Sequence, residues 1–245
     1  MLSPTTAPTL QICRNCGSGA PLDAHFCPQC TKILSLGRKG DYFSFLGLPR
    51  KLRIDAGDLE RRFRTMSRQF HPDYFYNATP AERRASLERS SYLNDAYRTL
   101  KNPIARVEYL LEREGLSKST GAGQGLQGND DAASKQGVPP ALLEEVFALN
   151  EELDEIRGLR AGGAPPERWT ARLERARLPI DAKRAAHEQE LQRLSGRWDA
   201  LVEAKAGAGA SDAERAEVLS ALRDCLLERN YINNLLAGIE REMAQ

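Results

Sequence analysis

Leu59, Phe63, Met66 and Phe70 step by four, three and four residues, and two positions later the chain meets Pro72. That spacing places the four apolar side chains on one face of a helix running from about Asp58 to Phe70. Proline disfavours helical geometry in the residue before it, so the helix must stop at about His71. The opposite faces carry Arg61, Arg62, Arg64 and Arg68. A basic amphipathic helix therefore ends in a rigid turn presenting an imidazole, a pyrrolidine ring and a carboxylate at His71, Pro72 and Asp73. A triplet of this kind beside a cationic helix has the character of a docking device. Plainer readings stand beside it: a general acid–base pair, or a helix stop with no further role. The arginines taken alone read as a solvated helix face.

The flanking segments have helix punctuation of their own. Asp41-Tyr42-Phe43-Ser44-Phe45-Leu46-Gly47-Leu48-Pro49 reads as a short helix with Asp41 as cap and Gly47 and Pro49 as stops. Thr79-Pro80-Ala81-Glu82 starts another: Thr79 can cap and Pro80 suits the first turn. Leu87, Leu93, Ala96, Tyr97 and Leu100 form its expected apolar face, and Asn102-Pro103 ends it. Ile104, Val107, Leu110 and Leu111 suggest a short fourth helix. This order resembles a J domain. Asp41-Tyr42-Phe43 with Leu46-Gly47-Leu48, then Asn94-Asp95-Ala96-Tyr97 with Leu100 and Pro103, resembles one branch in particular, the HscB-type co-chaperones of iron–sulfur cluster assembly. The resemblance runs from Asp41 to the C-terminus, apart from a linker and some loops. It implies that His71, Pro72 and Asp73, with Arg61, Arg64 and Arg68, contact a DnaK/HscA-type ATPase chaperone and stimulate its hydrolysis of ATP.

Ahead of this region, Cys13-x2-Cys16 and Cys27-x2-Cys30 form two pairs ten residues apart. Two such knuckles supply the tetrahedral sulfur set that zinc prefers. The alternative is free or redox-active thiols. With all four positions filled by Cys13, Cys16, Cys27 and Cys30, no coordination site is open for catalysis, so a structural zinc is expected. Four thiolates on Zn²⁺ leave a charge near −2 that Arg14 and Lys32 could screen. His25, between the pairs, is expected beside the ligands or exposed. A knuckle of about thirty residues should be unfolded without its metal. Some HscB-type proteins resemble this chain in carrying such a knuckle. The fifth cysteine, Cys225, lies in a helical apolar pattern and reads as a buried structural thiol.

Composition narrows the partners. Lys+Arg total 35 and Asp+Glu 34 over 245 residues, so no global charge argues for nucleic acid or a membrane surface. No apolar run approaches the roughly 20 residues of a membrane span. The first twelve residues lack lysine and arginine and match neither a secretory signal nor a transit peptide, so a cytoplasmic protein is expected. Nucleophile motifs and phosphate-cradling glycine loops are absent, and an enzyme is not expected.

Residues 117–138 lose the apolar pattern and alternate glycine with Ser, Thr, Gln and Asn, as a flexible linker does. From Pro139-Pro140 a seam resumes at Leu142, Val146, Leu149, Leu153 and Ile156. A second helical stretch from about Pro166 to Ala206 carries His187, Leu191, Leu194, Trp198 and Leu201, and Pro179 should break or kink it. His187 reads as a packed core histidine before it reads as a ligand. Ser211 caps a last helix to about Met243. The expected fold is all-α: a zinc knuckle over residues 1–36, a J domain over 40–116, the linker, and an antiparallel three-helix bundle over 139–245.

Leu143 and Phe147 fall one step off that seam, with Glu151 a turn further along. They read equally as a partner surface or as the margin of a broad buried face. The resemblance favours the first: HscB-type proteins hold the IscU-type scaffold at the positions of Leu143, Phe147 and Glu151, and with an aromatic at that of Tyr231. Glu144 and Ala148 depart from that pattern. The expected function is delivery of a cluster-bearing scaffold to the ATPase chaperone. The rivals are a general J protein holding unfolded clients and a nucleic-acid binder using the knuckle. Against the latter, Phe26 is the knuckle's only aromatic, so no stacking platform is evident.

Overall fold

The computed structural model describes residues 10–36, 41–116, 143–204 and 211–244. The linker 117–138, Pro139, Pro140 and Leu142 lie outside the described residues. The chain divides into two compact units, Met1–Arg113 and Glu114–Gln245.

The first unit opens with a two-stranded antiparallel ribbon, β1 (Leu10–Ile12) and β2 (Gly19–Pro21), in which Leu10 faces Pro21 and Ile12 faces Gly19. This ribbon is the one departure from helix among the described regular elements. Helix α1 (Tyr42–Phe45) begins at a capping box, with Asp41 Oδ1 accepting the Ser44 N–H at 2.7 Å. Gly47, at φ +65°, turns the chain away, and Arg62 donates to the Leu46 and Gly47 carbonyls at 3.1 and 3.0 Å. Arg62 is therefore a strut between helices.

Helix α2 (Ala56–Phe70) starts two residues before the apolar stripe suggests, because Asp55 caps the Asp58 N–H at 2.6 Å. Leu59, Met66 and Phe70 are buried, and Phe63 stacks on Tyr97 at 4.2 Å. Pro72–Phe75 forms a single 3₁₀ turn. Helix α3 (Pro80–Lys101) follows from the expected capping box of Thr79 and Glu82. Its buried stripe is Ala85, Ser86, Arg89, Leu93, Ala96 and Leu100. Leu87 does not join it and is 58% exposed. Six residues before Leu93 place it about 240° around the helix, off the stripe. Helix α4 (Pro103–Arg113) is held at its start by Asn102 Oδ1, which accepts the Ile104 and Ala105 N–H groups.

The second unit contains α5 (Leu143–Ala161), α6 (Pro166–Ala204) and α7 (Asp212–Met243). Glu152–Arg172 and Glu145–Lys183 pairs set α5 antiparallel to α6. Arg177–Glu240 and Arg197–Glu217 set α6 antiparallel to α7. Leu149, Leu153, Ile156, Leu173, Ile180, Ile232, Leu236 and Ile239 form a buried cluster among the three. Pro179 does not break α6, which runs unbroken through it. Proline in a helix interior costs about 3 kcal/mol, and burial of Leu173 and Ile180 on either side outweighs it. Gly158 likewise stays helical, the helix ends at Ala161, and Gly163, at φ +74°, turns the chain away.

Candidate functional site

The cysteine pairs fold as two similar turns. The Gly17 N–H bonds the Cys13 carbonyl and the Thr31 N–H bonds the Cys27 carbonyl, each at 2.9 Å. The Cys13 N–H meets the Ser18 carbonyl and the Cys27 N–H meets the Lys32 carbonyl, again at 2.9 Å. Both turns need a left-handed residue after the second cysteine: Gly17 at φ +71° and Thr31 at φ +59°. The first is legible in the sequence and the second is not, because threonine is a poor residue for that region.

All four thiol sulfurs lie within 4.8 Å of one another. Cys13 and Cys30 sulfurs are 3.7 Å apart, as are those of Cys16 and Cys27. A tetrahedron with metal–sulfur bonds of about 2.3 Å has edges of about 3.8 Å, so the donor set fits a four-coordinate ion such as zinc. Ser18 Oγ lies 3.1 Å from the Cys16 sulfur and 3.2 Å from that of Cys27. The hydroxyl draws the Cys27 thiol down to about 6, which favours the thiolate a metal requires. Lys32 can screen the cluster in part: its pKa is raised first by Glu82 and then by the charge of Cys30. Its ammonium pairs with Glu82 of α3 at 2.9 Å. His25 is neither a ligand nor exposed. Its ring packs edge-on against Phe45 at 4.8 Å and Phe70 at 5.1 Å, and Arg89 lies 2.7 Å from its Nδ1.

His71 closes α2 and opens the 3₁₀ turn, its Nδ1 accepting the Asp73 N–H at 3.3 Å. Its ring is 51% exposed and the Asp73 carboxylate 86%. Proline at 72 stops the helix as the sequence requires. Phe75 turns inward onto the core, while Tyr74 and Tyr76 face solvent. Tyr76, Arg83 and Leu87 line a dent of about 540 Å³ beside Pro72 and Asp73. The spacing of apolar residues gave no sign of this dent, since Leu87 read as core.

The arginines of α2 are less free than a bare cationic face. Arg61 pairs with Asp58, and Arg64 with Glu60 at 2.8 Å. Arg68 is exposed and has no partner among the described residues. Together these three line a shallow groove with Gly57 and Thr65.

In the second unit Leu143 and Phe147 are exposed, Phe147 at 70%, so they are not the margin of a broad buried face. Of the acidic run, Glu152 and Glu155 grip Arg172, and Asp154 pairs with Arg157 at 2.9 Å. Glu151 is exposed and unpaired among the described residues. Tyr231 packs partly on the bundle cluster, as Val146 does. Arg157 of α5 meets Glu242 of α7 at 2.8 Å. Eleven residues earlier on each helix stand Val146 and Tyr231, so Tyr231 lies level with Phe147. Glu144 and Ala148 line a separate groove of about 750 Å³ with Leu149, Arg175 and Ile180. His187 is a packed histidine as expected, its Nδ1 3.6 Å from the Cys225 sulfur and its Nε2 3.4 Å from Glu228. Among the described residues, no helix is long and apolar enough to cross a membrane.

No protein-family model matches the chain. Solved structures resemble it along most of their length, among them two HscB proteins. The human co-chaperone protein HscB is 24% identical, with 95% of this chain and 98% of that one covered at a TM-score of 0.60. The chaperone HscB from Vibrio cholerae is also 24% identical, with 84% and 99% covered at a TM-score of 0.51. This chain therefore has the HscB fold, with a four-cysteine cluster near its N-terminus able to bind a metal.

Proposed function

We propose that this protein is a J-domain co-chaperone of iron–sulfur cluster assembly. It stimulates the ATPase of a DnaK/HscA-type chaperone and brings an IscU-type scaffold to it. The observation that carries this reading is the exposed His71-Pro72-Asp73 turn at the end of α2, in a chain with the HscB fold. The turn contributes no catalytic group. It biases the partner towards its hydrolysing state, and Arg61, Arg64 and Arg68 steer the encounter, raising the association rate in a salt-sensitive way.

The scaffold is held at Leu143, Phe147, Glu151 and Tyr231: an exposed apolar pair and a carboxylate one turn apart along α5, with a half-buried aromatic on α7. So compact a patch suits one folded partner better than a range of unfolded clients. Holding scaffold and chaperone at once raises the local concentration of one at the other. A nucleic-acid role for the knuckle is disfavoured because Phe26, its one aromatic of the Phe, Tyr or Trp type, is half-buried and packs against Phe70 at 5.9 Å. Zinc is the metal the four thiolates suit, in a structural role.

The test is Asp73→Asn. It removes one exposed charge and should leave the helical circular dichroism and scaffold binding unchanged while abolishing stimulation of the cognate ATPase. Full stimulation by this variant removes the assignment.

A further inference from the structure

The residue before the His-Pro-Asp turn is the most enclosed on α2. Phe70 is 0% exposed. Its carbonyl accepts from the hydroxyls of Ser86 and Ser90 on α3, at 2.6 and 2.9 Å. Its ring is surrounded by Phe45 of α1 at 6.0 Å, the Arg89 guanidinium of α3 at 5.7 Å, and two residues of the cysteine knuckle, His25 and Phe26. The same two residues directly precede Cys27. Arg89 fixes the knuckle from behind. It is 2% exposed, and donates to the Leu34 carbonyl at 2.7 Å and the Ser35 carbonyl at 3.2 Å, besides meeting His25.

We propose that the four-cysteine knuckle is a buttress of the His-Pro-Asp turn, so that metal occupancy of the thiolates sets how firmly the turn is held. Among the described residues, the knuckle's own buried cluster is Cys13, Ala20, Cys27 and Leu34, with Ala24 and Cys30 partly buried against it. Two of those four are ligands, so a folded knuckle depends on the metal. Without it, His25 and Phe26 leave the face of Phe70, and Arg89 loses the acceptors that hold it. Phe70 then has a wall on only one side, and the turn attached to it gains freedom. His25, Phe26 and Arg89 act through Phe70 and are positioning residues for the turn.

The experiment compares the zinc-loaded full-length chain, the same chain after chelation, and zinc-loaded Phe26→Ala. Amide hydrogen exchange is read at Phe70, His71, Asp73 and Tyr74, with Leu149–Ile156 of α5 as internal reference. Zinc content is measured alongside. The buttress predicts exchange about tenfold faster or more around the turn after chelation, and a shift of the same sign in Phe26→Ala with zinc retained, while the reference stays put. Unchanged exchange at the turn in both overturns it. If chelation unfolds the whole first unit, zinc-loaded Phe26→Ala decides by the same criterion. A second arm, resting on the function proposed above, measures ATPase stimulation, which should fall several-fold in the chelated chain. Failure of the zinc-loaded wild type to stimulate would sink that functional reading and leave the exchange result standing.

Discussion

Arg89→Leu tests the energetics of the knuckle's attachment. The guanidinium is held by an α3 position that the helix buries completely. Burial pushes its pKa down to about 10 from the ordinary 12.5. That shift corresponds to a penalty of about 3 kcal/mol for keeping the charge at neutral pH, which leucine would relieve. Against the relief stand the contacts. Nε donates to the Leu34 carbonyl and Nη1 meets His25, both at 2.7 Å, and Nη2 reaches the Ser35 carbonyl at 3.2 Å and the Ala24 carbonyl at 3.4 Å. The two short ones are charge-assisted and contribute about 1.5–3 kcal/mol each. The two longer ones are weak, but leucine leaves all their acceptors facing an apolar side chain, at about 1–3 kcal/mol per buried unsatisfied group. The second effect outweighs the first. A net destabilisation of about 2–4 kcal/mol is expected, with the unsatisfied carbonyls deciding the sign. The assay is urea unfolding of the zinc-loaded chain, together with the rate at which a chromogenic chelator removes zinc. Arg98→Ala, on an exposed face of the same helix, is the control and should change stability by less than about 0.5 kcal/mol. If Arg89→Leu matches that control in both measurements, the arginine is not what fastens the knuckle and the reasoning fails.

Phe147→Ala should leave the unfolding midpoint nearly unchanged, since the ring is already in solvent, and weaken scaffold binding tenfold or more, at about 2 kcal/mol for a central anchor. Ile156→Ala, about two and a half turns along and fully buried, should do the opposite and cost about 2–5 kcal/mol of stability; equal binding loss in both would mean the bundle, and not the patch, was damaged. Burial, with Glu190 and Glu228 nearby, pushes the Cys225 thiol up to about 12. At pH 8 it should therefore carry roughly a thousandfold less thiolate than a free cysteine and resist a thiol reagent until the chain is denatured; labelling within minutes in the folded protein would contradict this. Because the folded pKa lies above the ordinary 9.0, the thiol's contribution to stability is present below pH 9 and is lost as pH rises towards 12, which alkaline unfolding of Cys225→Ala against wild type should reveal.

Local signals carried far in this chain wherever one residue type has one physical use. Asp41, Thr79 and Ser211 all cap as their surroundings announce, and Pro72 ends α2 as proline must. The cysteine spacing predicted four sulfurs converging, and they converge. What failed were readings that assigned a residue to its own element when its partner lies on another. Pro179 was expected to break or kink a helix, and it does not break it, because the apolar side chains around it have a core to fill. His25 was read as an accessory of the metal because it is a neighbour in sequence, whereas it abuts Phe45 and Phe70; Lys32, near Cys30, is tied also to Glu82 of α3. The missing piece was Arg89. It occupies the buried register of α3, four residues after Ala85 and four before Leu93, where a charge is unwelcome without acceptors. A charge on an otherwise apolar stripe is itself a signal that some other segment must bring carbonyls to meet it. The knuckle is the segment that does so. The metal clip and the basic helix, which the sequence presents as separate devices, therefore meet at one ring, that of Phe70, directly behind the turn on which the proposed function depends.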